Sequence, residues 1–221
     1  MAEEKGEENF IKLKEDFQAY SKKNFCIPKH YEDDLETVLI PRGLVMDRVE
    51  RMARDIHGEM KSGPIVVLCV LKGGYQFMKD LLHFINVLNA NSGRSFQLGI
   101  DFIRVKSYVN DNSNGEVKVI GGDDMSNLTG KHVLIVEDIV ETGKTMERLV
   151  ALLKKSNPAS IKVASLLVKR TGKPCAFTPD YIGFEIPNYF VVGYALDYNE
   201  YFRDLDHICV LPPRSVDKYR M

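Results

Sequence analysis

One stretch, His132 to Leu153, reads HVLIVEDIVETGKTMERLVALL and sets what the rest of the chain can fold into. Val133 to Val136 is a continuous apolar run, and a strand without alternation is usually buried on both faces of a parallel sheet. The run stops at two acids, Glu137 and Asp138. Beyond them Met146, Leu149, Val150 and Leu153 follow i, i+3, i+4, i+7 spacing, so a helix with one apolar face begins at Gly143 or Lys144. The stretch is therefore read as strand, acidic pair, short loop, helix.

A loop leading into a helix presents free backbone N–H groups. Here Thr142 and Thr145 add hydroxyl donors, and Gly143 lets the backbone approach a ligand closely. The combination suits a phosphate, while the upstream acids suit sugar hydroxyls; together they suggest a ribose phosphate. A nucleoside-triphosphate loop is a poor alternative, because that pattern needs Gly five positions before Gly143, where this chain has Asp138. A second alternative, that the acids only favour the helix N-terminus electrostatically, stays open on local grounds.

The strand, turn, helix plan recurs. Ile65 to Leu71 runs into Lys72-Gly73-Gly74-Tyr75 and a helix over Phe77 to Leu88. Lys72 beside two glycines suits either an anion or an ordinary tight turn. A packing helix is expected over Met46 to Met60, and further strands over Ile100 to Lys106, Val117 to Gly121 and Ile161 to Val168, the last ending at Lys169-Arg170. Between them Ser107-Tyr108 and the polar run to Glu116 read as a loop that could close over a reactive sugar, or as a plain surface hairpin. Strands alternating with helices argue for a parallel sheet covered on both sides, with ligands at the C-terminal strand ends. Lys72, Glu137 and Lys169 would share that edge. The aromatic-rich segment Phe184 to Val210 reads as a small separate lobe, in which Phe190 either packs or stacks on a planar base.

Size and charge narrow the function. The chain has 221 residues with 44% hydrophobic content, enough for one sizeable core, and residues 1–24 are expected to be a mobile arm before a single domain over 25–221. Thirty basic against thirty-one acidic residues give net charge −1, which offers no general field for nucleic acid or an anionic membrane. The N-terminal residues lack a signal-peptide core and no run is long enough to span a bilayer, so a cytoplasmic protein is expected. Cys26, Cys69, Cys175 and Cys209 lack metal-ligand spacing, and Cys69 reads as a buried thiol.

With these pieces in order, the sequence resembles the hypoxanthine-guanine phosphoribosyltransferases from about Phe25 to Cys209. The matching stretches are VLCVLKGGY, DFIRVKSY, VIGGDD, VLIVEDIVETGKTM, KVASLLVKRT and FVVGYALDYNEYFRDL. The resemblance implies a type I phosphoribosyltransferase fold of the α/β class: a mostly parallel sheet flanked by helices, with a small hood lobe built from the terminal segments. It implies Mg²⁺-dependent transfer of ribose 5-phosphate from phosphoribosyl pyrophosphate to hypoxanthine or guanine, giving IMP or GMP, in a homodimer or homotetramer.

Residue by residue, the resemblance implies that Glu137 and Asp138 accept the ribose hydroxyls. Ile139 and Val140 lead to Glu141, Thr142, Gly143, Lys144 and Thr145, which would hold the 5′-phosphate. Lys72 and Gly73, after a cis peptide, would meet pyrophosphate together with Arg203. Ser107 and Tyr108 would belong to the lid. Lys169 would donate to the purine 6-oxygen, Phe190 would stack on the ring beside Tyr189, Val191 would bind its edge through the backbone, and Asp197 would be the Mg²⁺ carboxylate. One departure stands out. The residue that takes or shares the purine N7 proton is Asp in the family's active enzymes and Glu141 here. A phosphoribosyltransferase domain-containing relative has Gly there, so the alternative implied is a catalytically weak nucleotide-binding protein.

Overall fold

The computed structural model describes residues 9–59, 63–93, 97–107, 117–120 and 125–220. In chain order the elements are β1 (Ile11–Lys12), β2 (Thr37–Ile40), α1 (Arg42–Glu59), β3 (Ile65–Leu71), α2 (Gly74–Ser92), β4 (Leu98–Ser107) and β5 (Val117–Ile120). There follow β6 (His132–Val140), α3 (Lys144–Leu153), β7 (Ser160–Lys169), β8 (Tyr181–Ile186), β9 (Val191–Val192), β10 (Ile208–Val210) and α4 (Pro213–Lys218). A seven-stranded sheet has the order β1-β8-β7-β6-β3-β4-β5. Its strands run parallel except β5, which pairs antiparallel with β4.

The apolar runs explain the layers. Along β3 the residues alternate between two cores: Val67 and Cys69 pack with Val49, Met52 and Ile56 of α1 and with Phe77, Leu81 and Ile85 of α2. Val66, Leu68 and Val70 face the other way, against Met146, Leu149, Val150 and Leu153 of α3. Each such side chain, fully buried, stabilises the fold by about 1.5–3 kcal/mol. From β3 the chain crosses by α2 to β4 on one side, then returns to β6 on the other and crosses by α3 to β7. That reversal opens a crevice at the C-terminal ends of β3 and β6, where open α/β sheets bind ligands.

Three expectations need correction. The strand that begins at His132 does not stop at the acids. It continues to Val140, because Glu137, Ile139 and Val140 pair with Ser165, Leu167 and Val168 of β7. On its other side β6 pairs with β3 only as far as Val136, so the acids lie where one flank of the strand is open. Second, residues 9–24 are not a free arm: Ile11 and Lys12 pair with Phe184 and Glu185, and Leu13 is buried. Two strand residues are too few to show a period in the sequence. Buried Arg48 braces this edge by donating to the carbonyls of Ile182, Gly183 and Asn9. Third, Phe184 to Val210 is not one lobe. Phe184 and Ile186 belong to the main core, while β9 joins β10 and β2 in a three-stranded sheet that draws on the N-terminal segment as well. Element ends otherwise shift: α1 begins at Arg42, α2 spans Gly74–Ser92, and β4 and β7 are longer at both ends than expected.

The small sheet has its own core of Tyr31, Leu35, Val38, Val192, Phe202, Leu205, Cys209 and Leu211. Buried Asp34 ties it to the C-terminus: its carboxylate accepts from Lys218 Nζ at 2.7 Å and from Tyr219 OH at 2.6 Å, and its carbonyl accepts from Ser215 Oγ at 2.7 Å. Burial would push this carboxyl up, but the Lys218 and Tyr219 hydrogen bonds outweigh it and hold it below its ordinary value. A depressed carboxyl stabilises the folded state above its unfolded pKa, and that stabilisation is lost as pH falls through the folded value. Asp34→Ala should therefore cost about 1–3 kcal/mol at pH 7 in denaturant titrations, with the gap to the parent narrowing below pH about 4.

Among the described residues no helix is long and apolar enough to cross a membrane.

Candidate active site

At the crevice, the turn after β3 and the acids of β6 are in direct contact. The Leu71–Lys72 peptide is cis. A Cβ on Gly73 would lie 1.6 Å from Asp138 Oδ2, so only glycine leaves room for that carboxylate. Glu137, half-buried beside it, is pushed well above the ordinary carboxylate range by burial first and then by the hydrogen bond and charge of Asp138. Behind the acids the Cys69 thiol, desolvated and then opposed by Glu137 and Asp138, is pushed up to about 12. It is an inert buried thiol, as its apolar setting in the sequence suggests.

Beyond Val140 the loop Glu141 to Gly143 leads into α3, and a cavity of about 290 Å³ is lined by Glu137, Ile139, Val140, Thr142, Gly143 and Thr145, among others. Gly143 has φ 73°, and Lys144 and Thr145 open the first helical turn, whose N–H groups have no partner within the helix. The loop is buttressed by a segment that carries no signal in the sequence: Ala176 N–H donates to the Thr142 carbonyl at 2.8 Å. A Cβ at Gly143 would stand 2.5 Å from Phe177 N and 2.9 Å from Cys175 Sγ. Gly172 also has positive φ, 72°, but open space around it. Gly143→Ala should thus cost about 2–4 kcal/mol of stability against about 1 kcal/mol for Gly172→Ala, by denaturant titration. Equal losses would show that strain alone, without the close approach, sets the glycine at Gly143.

Two ion-pair systems lie at the ends of the strands beside β6. At the end of β7, Lys169 Nζ is hydrogen-bonded to Glu141 Oε1; the lysine side chain is 10% exposed and the glutamate 52%. After β3, on the other side of β6 from β7, Lys72 Nζ donates to Glu200 Oε2 at 2.8 Å. Arg203 donates to the Ala195 carbonyl at 2.7 Å and meets Asp197 Oδ1 at 2.8 Å and Glu200 Oε2 at 3.4 Å. The second Asp197 oxygen accepts from the Glu200 N–H at 2.8 Å. Glu200 has φ 69°, and its carboxyl is held below the ordinary range, chiefly by the Lys72 hydrogen bond. The buried Tyr194 hydroxyl, donating to Asp80 Oδ2 of α2 at 2.7 Å, fastens this segment to the main sheet's helix layer.

The structure thus brings together Lys72, Gly73 and Asp138, then Glu141 with Lys169, and Lys72 with Asp197 and Arg203 through Glu200. Tyr189 and exposed Phe190 precede β9, with Phe190 edge-on to Tyr198 at 5.3 Å. Val191 is buried and paired with Val210. Ser107 ends β4; Tyr108 to Glu116, most of the expected lid, lie outside the described residues. Among the described residues no group of three or more His, Cys, Asp or Glu side chains forms a metal cluster.

Comparison with known proteins gives a consistent family. A model of the phosphoribosyl transferase domain matches residues 41–199. The hypoxanthine-guanine phosphoribosyltransferase of Sus scrofa is 60% identical over 210 residues, covering 95% of this chain and 96% of that protein. The Homo sapiens protein of the same name is 59% identical over the same span. A crystal structure of hypoxanthine-guanine phosphoribosyltransferase from Schistosoma mansoni in complex with IMP is similar with TM-score 0.80 and 36% identity, covering 95% of this chain and 98% of that one.

Proposed function

The chain belongs to the hypoxanthine-guanine phosphoribosyltransferases of the phosphoribosyl transferase domain family, and from that membership we infer that it is a purine-salvage enzyme. It transfers ribose 5-phosphate from phosphoribosyl pyrophosphate to N9 of hypoxanthine or guanine, releasing pyrophosphate and IMP or GMP. The observation that supports the reading is the Lys169–Glu141 contact, because it joins the end of β7, assigned to the base, to the first residue of the loop assigned to the 5′-phosphate.

That pair also accounts for base choice. It offers a donor, Lys169 Nζ, next to an acceptor, the Glu141 carboxylate. A 6-oxopurine protonated at N7 offers the complement, an acceptor oxygen next to a donor N–H. Adenine instead presents an amino donor to the ammonium, which leaves two donors opposed. On binding, each member of the ion pair exchanges its partner for a purine group, and Glu141 takes the N7 proton as N9 attacks C1′.

The remaining residues follow the path of charge. Departure of pyrophosphate from C1′ leaves oxocarbenium character on the sugar, and Lys72 and Arg203 stabilise the leaving anion. Asp138, pressed against Gly73, and Glu137 accept the ribose hydroxyls; the loop amides from Glu141 to Thr145 hold the 5′-phosphate. Phe190 supplies a stacking face, with Tyr189 beside it, and Val191 a backbone edge. Mg²⁺ sites use one or two carboxylates plus substrate phosphates; Asp197, whose oxygens accept from Arg203 and the Glu200 N–H and keep further lone pairs, would hold the ion, which would neutralise the leaving group's charge. Ser107 and the segment after it would exclude water.

Two further features belong to the same reading. Ile100 and Phe102, 54% and 41% exposed on one face of β4, support a homodimer or homotetramer that covers them. Four unpaired thiols suit a reducing cytoplasm. The activity is tested by following phosphoribosyl pyrophosphate and hypoxanthine by phosphorus NMR with Mg²⁺ and with a chelator. IMP and pyrophosphate should appear together and only with the metal; free ribose 5-phosphate in place of IMP would point to hydrolysis and against transfer.

A further inference from the structure

The cations assigned to the leaving pyrophosphate are both engaged by one side chain to which neither the sequence reading nor the mechanism gives a role. A single oxygen, Glu200 Oε2, accepts from Lys72 Nζ at 2.8 Å and from Arg203 Nε and Nη2 at 3.4 Å each. Converging donors from two separate elements on one anionic oxygen is the arrangement a phosphoryl oxygen would require. We propose that Glu200 is a built-in counter-anion of the pyrophosphate subsite: its carboxylate holds Lys72 and Arg203 aimed at one point in the free protein and is displaced when the substrate's pyrophosphate arrives. The proposal rests on the assignment of Lys72 and Arg203 to pyrophosphate.

Three observations carry it. First, Lys72 follows β3 whereas Arg203 lies in the loop after β9, and within the described contacts Glu200 is the carboxylate shared by both. Without it, Arg203 would keep Asp197, but Lys72, 44% exposed, would lose the carboxylate that aims it at the same point and would be free to swing into solvent. Second, Arg203 does not depend on Glu200 for its position. It is also anchored by the Ala195 carbonyl and Asp197, so withdrawal of Glu200 leaves one cation in place to receive the anion. Third, Glu200 is fixed at its backbone and exposed at its tip. Its N–H is held by Asp197 at φ 69°, while 55% of its side chain is exposed, so rotation of the carboxylate into water breaks no buried contact.

Glu200 is therefore a positioning residue whose ion pairs compete with substrate. Exposed pairs of this kind are weak, and losing the competition from two of them should tighten anion binding by about 3- to 10-fold. The test is calorimetric titration of the full chain with inorganic pyrophosphate in the presence of Mg²⁺. For Glu200→Gln the dissociation constant should fall about 3- to 10-fold, with GMP affinity unchanged within about twofold, and KM for phosphoribosyl pyrophosphate should fall without a matching rise in kcat. In a Lys72→Ala background the Glu200→Gln gain should shrink, since half of the competing contact is already absent. Glu200→Asp, whose shorter stem cannot span both cations, should lie between parent and Gln; it serves as the measurement if the Gln variant does not fold. Pyrophosphate binding that is equal or weaker in folded Glu200→Gln, with normal binding lost in Lys72→Ala or Arg203→Ala, overturns the proposal alone. If Lys72→Ala and Arg203→Ala both bind pyrophosphate like the parent, the assignment of the cations fails, and the proposal with it.

Discussion

Lys169→Ala is expected to raise KM for hypoxanthine and guanine by about 10- to 10²-fold while changing KM for phosphoribosyl pyrophosphate less than about threefold. The first figure follows from the cost of losing a charged hydrogen bond to a desolvated carbonyl, about 1.5–3 kcal/mol. Lys169 is only 10% exposed, so water cannot readily replace the ammonium at the purine. The second figure follows from topology: Lys169 ends β7, while the groups assigned to pyrophosphate lie after β3 and in the small-sheet loop. Initial-rate kinetics varying each substrate separate the two. Equal losses for base and phosphoribosyl pyrophosphate would make Lys169 a structural support for the phosphate loop through its Glu141 contact.

Glu141→Gln should lower kcat by about 10²–10⁴-fold, the usual range for loss of a positioned acid–base group, with GMP affinity altered far less. The amide keeps an acceptor near Lys169 but cannot take the N7 proton. Glu141→Asp tests the other property of this position. The shorter carboxylate would reach Lys169 less readily, so the ion pair that purine must break is weakened, and turnover should rise with little change in GMP affinity. An unchanged rate would mean that Glu141 already reaches its proton without strain; a fall of similar size to that in Gln would mean that its extra methylene is needed, since displacement by about 1 Å can cost ~10²-fold.

How far these residues could be read from the sequence depended on the kind of signal each carried. The strand, loop and helix around Glu141 to Gly143 were legible because a buried strand, an acid pair and an amphipathic helix follow one another without a gap, and α3 begins at Lys144 with its four apolar positions buried as the spacing requires. The location of Lys72, Glu137 and Lys169 on one edge was legible for the same reason, since alternating strands and helices dictate parallel pairing. The extent of β6 was not legible. Glu137 and Asp138 look like the end of a strand, and only the pairing of Glu137, Ile139 and Val140 with β7 carries the strand through them, a tertiary fact that no local pattern encodes. The docking of Ile11 and Lys12 escaped for a similar reason. Glu200 escaped because an exposed acid in a polar loop is unremarkable until the chain brings Lys72 to it from 128 positions away. Cys175 to Phe177, against Gly143, had no signal except that Gly143 itself needed an explanation.

Whether one sheet edge reads a ribose phosphate and a 6-oxopurine together is settled by competition among bases. The enzyme is given phosphoribosyl pyrophosphate and Mg²⁺ with equimolar hypoxanthine, guanine and adenine, and the nucleoside monophosphates are separated by mass. IMP and GMP should account for the product, with AMP lower by at least about 10³-fold, because the Lys169 ammonium opposes the adenine amino group. AMP at a rate comparable to IMP, or pyrophosphate release without any nucleotide, would contradict it.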